Sequence, residues 1–131
     1  MKGKLPVSFL LLTTVVLCGC ASHRMGVPYS EATKNIEALL RARVDKGIFP
    51  YSREDTPNET TFRFIEGDRW EKADHATPLS IEIVVRQIDE GVDSRLAIKA
   101  VEDRIFIKTP DRVAAKRWRE EIRRVTTSSV Q

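Results

Sequence analysis

The chain has 131 residues, 41% apolar and 31% charged, with 22 basic residues against 19 acidic and a formal net charge of +3. That length allows one small domain. Two cysteines two positions apart (Cys18, Cys20) and two histidines (His23, His75) exclude a disulfide framework and a Cys/His-rich metal centre; so slight a charge excess excludes a strong pull toward nucleic acid.

Lys2 and Lys4 open the chain, and Leu5 to Leu17 follows as an apolar run. It is too short to cross about 30 Å of hydrocarbon, which takes roughly 20 helical residues. The run is apolar nearly all round, carries Pro6 and ends on a small residue, so a secretory signal fits it better than a buried core helix. Its last four residues, Leu17-Cys18-Gly19-Cys20, resemble the lipobox of bacterial lipoprotein precursors. The resemblance implies cleavage between Gly19 and Cys20, with residues 1–19 as signal peptide and Cys20 carrying a diacylglyceryl group and an N-acyl chain such as palmitate. Cys18 does not fit the modified position, because bulky Leu17 precedes it. In an ordinary soluble secreted protein Cys20 would be a leftover free thiol. No aspartate follows Cys20, and Ala21-Ser22 in that place implies the outer membrane, facing the periplasm, in a Gram-negative host.

Cleavage would remove Lys2 and Lys4, leaving twenty basic residues against nineteen acidic ones. Residues 20–29 read as the lipidated cysteine and a linker with Gly26 and Pro28, reaching roughly 30 Å at full extension. The partners this implies are a membrane, through the lipid anchor, and an envelope protein, with no nucleic acid.

The domain proper is expected over 30–126. Ser30 suits a helix N-cap, and Ala32, Ile36, Leu39, Leu40 and Val44 form one stripe at helical spacing, with Gly47 as the stop. Ile48 to Tyr51 reads as an apolar connection, and Ser52 to Glu59 as a polar loop. Thr60 to Glu66 alternates, with Phe62 and Phe64 on one side. Arg69 to Lys72, with Trp70, continues or pairs back. Ser80 to Asp89 is the clearest strand, presenting Ile81, Ile83 and Val85 to one face. Glu90-Gly91 turns the chain, Arg95 to Val101 returns with Leu96, Ile98 and Ala100 on one face, and Glu102-Asp103 turns again before Arg104 to Lys108. Thr109 as N-cap and Pro110 at the first helical position predict a closing helix with a stripe of Ala114, Trp118, Ile122 and Val125. Residues 127–131 read as a polar tail. The fold expected is α+β: an N-terminal helix, an antiparallel β-meander of three to four strands and a C-terminal helix, both helices packed on one sheet face. This order resembles that of helix-grip domains in some outer-membrane assembly lipoproteins, in sequence of elements alone.

Chemistry-bearing patterns are sparse. His75 reads as a loop histidine. Asp89, Glu90 and Asp93 surround a turn without the spacing of a calcium loop, so a solvated hairpin is expected and no metal site. Glu66, Asp68, Glu71 and Glu82 sit on strands or their ends, and acid–base work would need two of them in one cleft with separated pKa values. The last helix carries Arg112, Lys116, Arg117, Arg119, Arg123 and Arg124; a solvated face stitched by pairs such as Glu120 with Arg124 is favoured over a patch for anionic headgroups. Trp70, with Arg69 and Lys72, is the candidate partner contact. The function expected is a non-catalytic accessory lipoprotein, with no cofactor beyond its acyl chains. A carrier of an apolar molecule, held between sheet and helices, is the alternative, and a hydrolase of envelope polymer a third.

Overall fold

A computed structural model describes residues 22–67, 78–103 and 108–130. It shows a mixed α/β architecture, an antiparallel sheet of six strands with two helices. In chain order the elements are β1 (Ser22–Arg24), α1 (Tyr29–Arg43), β2 (Ser52–Asp55), β3 (Glu59–Glu66), β4 (Leu79–Ile88), β5 (Asp93–Asp103), β6 (Lys108–Pro110) and α2 (Arg112–Val130). The sheet order is β1-β5-β4-β3-β2, and β6 also pairs with β5. β1 and β6 therefore share one edge of β5: Ser22 opposes Ala97, and Pro110 opposes Val101.

Register follows the apolar alternation. Phe62 faces Ile83 and Phe64 faces Ile81 across β3 and β4; Ile83 faces Ile98 and Val85 faces Leu96 across β4 and β5. These positions join Ala32, Ile36 and Leu40 of α1 and Ala114, Trp118 and Ile122 of α2 in one core. A one-residue slip would turn each of those side chains to the other face, so the apolar set fixes the register. Burial of each large side chain is worth about 1.5–3 kcal/mol. Trp118, fully buried, meets Phe64 edge-on with ring centroids 5.0 Å apart. Arg43 of α1 lies over the Trp118 ring and pairs with Glu121, which ties the two helices together.

Several boundaries differ from those expected. The sheet has six strands rather than three or four, and among the described residues a strand, β1, precedes the expected first helix. The segment read as linker contains β1, and its Val27 is buried. The polar loop expected over Ser52 to Glu59 holds β2; its Arg53 lays its guanidinium over the Phe62 ring and pairs with Glu37, so it joins the sheet without one apolar residue. α1 begins at Tyr29 with Pro28 as its extended N-cap, and Ser30 lies inside the helix. The helix stops at Arg43, where Asp45 (φ 67°) and then Gly47 (φ 129°) reverse the chain and bury Ile48. The turn expected at Glu102-Asp103 is instead the end of β5. Thr109 and Pro110 belong to β6, an edge position where the missing proline N–H costs no ladder bond. Asp111 caps α2 in their place, its Oδ1 accepting the Ala114 N–H at 3.0 Å. α2 runs on to Val130, past the expected end at Thr126; that residue is buried and its hydroxyl donates to the Ile122 carbonyl at 2.6 Å.

Candidate interaction surface

β3, β4 and β5 turn their even or odd positions to the core according to register, and the opposite positions form the sheet's outer face. Charged side chains pair there across strands. Arg63 donates to Glu54 at 3.2 Å and to Glu82 at 3.0 Å, and Arg86 donates to Glu59 at 3.1 and 3.2 Å. Exposed pairs of this kind contribute little each, about 0–1 kcal/mol, but they keep this face wet.

One end of the outer face is different. Phe49 and Pro50, from the connection after α1, stand beside Ile65 of β3 and Val101 of β5 around a cleft of about 550 Å³. Ile65 is 43% exposed, an apolar side chain left uncovered on a strand whose other face is core. Lys99 and Lys108 also line the cleft, and neither side chain has an ion pair among the described residues. Arg63 and Glu82, the latter opposite Lys99 in register, line it too, so the apolar floor has a rim with more cations than anions, which suits an occupant that is both apolar and acidic. Outward Ile65 and Val101 were a sequence signal for this cleft; the part played by Phe49 and Pro50 was not, because it depends on where the helix exit lands.

Two of the carboxylates weighed for catalysis, Glu66 and Glu82, are held in pairs. Glu66, at the end of β3, accepts Arg117 through both oxygens at 2.7 and 2.9 Å, and its Oε1 also accepts the Trp118 indole N–H at 3.2 Å. Glu82 is held by Arg63. Asp68 and Glu71 lie outside the described residues. Asp89 and Asp93, read as a solvated turn, both receive Arg24 of β1. Asp93 further accepts the Gly26 N–H at 2.8 Å and the Ser94 N–H at 2.7 Å. The Arg24 guanidinium, followed by these amides, holds the Asp93 carboxyl below its usual range. This acidic cluster is thus an arginine clamp on the N-terminal segment. Among the described residues, no group of three His, Cys, Asp or Glu side chains is placed to hold a metal ion.

His23, read as part of the linker, faces α2 from β1. It lies among Leu96, Arg119, Arg123 and Thr126, and its Nε2 is buried without a hydrogen-bond partner among the described residues. Desolvation first, then Arg119 and Arg123, lower its pKa below the ordinary 6.5. Of the α2 cations, Arg117 is bound to Glu66, whereas Arg112, Lys116, Arg119 and Arg123 have no acidic partner among the described residues. Gly19, Cys20, Arg69, Trp70, Lys72 and His75 lie outside the described residues. No described helix is long and apolar enough to cross a membrane. No protein-family model, curated protein or solved structure matches the chain.

Proposed function

We propose that this chain is the precursor of an envelope lipoprotein, anchored through acyl chains on Cys20, whose small domain is a non-catalytic interaction module. One observation carries the reading: Leu17-Cys18-Gly19-Cys20 closes a short apolar run that starts behind Lys2 and Lys4. The location follows from Ala21-Ser22, the outer membrane facing the periplasm in a Gram-negative host. Burial of one sheet face in a core shared with both helices supports an α+β domain with its helices on that face and the other face free for a partner. The partner surface we assign is the outer-face cleft, with Ile65 and Val101 as apolar contacts and Lys99 and Lys108 selecting acidic groups. Arg69, Trp70 and Lys72, which follow β3 in sequence, are kept as candidate contacts for the same partner.

The carrier alternative, in the form of a ligand held between sheet and helices, has less room than it needs. Phe62, Ile83, Ile36, Leu40, Trp118 and Ile122 are fully buried there, in mutual contact. The outer-face cleft is large enough for an acyl chain with an acidic head, which keeps a carrier as the second reading.

Cys20→Ser tests the anchor. It should abolish incorporation of a clickable fatty acid and block processing; unchanged labelling would overturn the reading. For the module, gentle solubilisation and affinity capture should retain an envelope protein, with Val101→Glu and Trp70→Ala each weakening its retention. Capture of a fatty acid or phospholipid in place of a protein would move the conclusion to the carrier.

A further inference from the structure

The point where the N-terminal chain enters the fold is confined. Ser22 pairs with Ala97 on the edge of β5. Further along that edge the Ala100 carbonyl accepts the Asp111 N–H at 2.8 Å, and from Val101 onward β6 occupies it. Ser22 is therefore the end of β1 that lies nearer the start of α2. Cys20 is two residues from Ser22, within about 7 Å of chain at full extension. The tether expected to reach roughly 30 Å is accordingly a single residue, Ala21, and an acyl group on Cys20 brings this edge of the sheet to the bilayer.

α2 runs beside that edge. Arg112, Lys116, Arg119 and Arg123 recur at intervals of four, three and four, which places them on one stripe of the helix. The stripe lies on the β1 side: Arg119 and Arg123 stand next to His23, and together with it border a small recess. Arg117, off the stripe, turns instead toward Glu66. Three of the four stripe residues are exposed and Arg119 is half-buried. None has an acidic partner among the described residues, whereas Arg24, Arg43, Arg53, Arg63, Arg86 and Arg117 all do. Four cations left without partners, on the flank nearest the anchor, match a surface of phosphate-bearing headgroups.

Resting on the lipid-anchor reading, we propose that the β1–α2 flank is seated on the bilayer, with Arg112, Lys116, Arg119 and Arg123 on the headgroups of anionic phospholipids. The acyl chains hold the protein to the membrane and the stripe sets its orientation. The outer-face cleft and the β2 edge then stay clear for a partner.

The test uses the mature protein, purified from a bacterial host after expression of the full chain with a clickable fatty acid, and reconstituted into phosphatidylethanolamine–phosphatidylglycerol vesicles. The mature chain has no other free thiol on the lipoprotein reading. Glu120→Cys, on the exposed side of α2, and Glu54→Cys, on the opposite edge of the sheet, each then take one bimane fluorophore. Spin-labelled lipid should quench the fluorophore at 120 and spare that at 54. Replacing phosphatidylglycerol by phosphatidylcholine should remove the difference. Each of Arg112→Gln, Lys116→Gln and Arg123→Gln should lower the membrane-facing population about fivefold, the factor equivalent to about 1 kcal/mol per cation near an anionic surface. Equal quenching at the two positions in acylated protein, or indifference to lipid charge, would overturn the orientation and leave the anchor standing. Protein recovered without the acyl label would overturn the anchor reading and this inference together.

Discussion

Arg24 and Asp93 join the first strand of the fold to its fifth, across 69 residues of sequence. The carboxylate is shared with two backbone amides, so one side chain fixes β1, the Gly26 turn and the start of β5 together. Asp93→Ala should lower the urea midpoint with an unchanged slope and speed hydrogen exchange at residues 22–27, because it strands three donors at once. Asp93→Asn, which keeps an acceptor, should do less.

The same carboxyl gives an acid limb. Its folded pKa lies below the ordinary 3.8, as does that of Asp55, which accepts the Thr60 hydroxyl and Arg53. Such groups stabilise the fold above the ordinary value, and that contribution is lost as pH falls through the folded one. Acid titration by circular dichroism should therefore show a shallower limb below pH 3.8 in Asp93→Asn than in the wild type.

His23 works in the opposite pH range. Its folded pKa is depressed from 6.5, so the unfolded chain takes up the proton first as pH falls. Stability is full above 6.5 and declines on acidification until the folded pKa is reached. Urea midpoints measured at pH 7.5 and 5.5 should separate in the wild type and converge in His23→Leu.

Trp118 fills the junction of α1, α2 and β3. Trp118→Ala should cost about 3–5 kcal/mol, a large part of what a small domain has. Trp118→Phe should cost less, since it keeps the edge contact with Phe64 and loses chiefly the indole bond to Glu66. Equilibrium unfolding in urea measures both.

Ser94 is fully buried and its hydroxyl donates to the Val27 carbonyl at 2.8 Å. Ser94→Ala leaves that carbonyl without its donor, at about 1–3 kcal/mol. The loss should appear in urea melts and as faster exchange of the amides around Val27.

Where the sequence alternates, it reads true. Ile81, Ile83 and Val85 in β4, and Leu96, Ile98 and Ala100 in β5, turn to the core as their spacing indicates, and Trp118 lies in the α2 stripe. β2 and β1 gave no such signal. Ser52–Asp55 contains no apolar residue and is held by the register with β3 and by Arg53 on Phe62. Ser22–Arg24 is held by Asp93 and Asp89, which no local pattern connects to it. The cap of α2 moved because Pro110 suits an edge strand as well as a first helical turn, and only the pairing with Val101 decides between them. The Cys20 motif is visible as a string of four residues; the outer-face cleft exists only once Phe49 and Pro50 are brought to Ile65 and Val101.

The pairing of β1 with β5 also has a consequence for the order of events during folding. A chain made from its N-terminus exposes Ser22–Arg24 long before Arg95, Leu96 and Ala97 exist to receive it. Contacts so distant in sequence are paid for in loop closure before they return anything, so the first strand synthesised is among the last to be placed. Ser22–Arg24 thus stay without their sheet partner until residues 95–97 have been made.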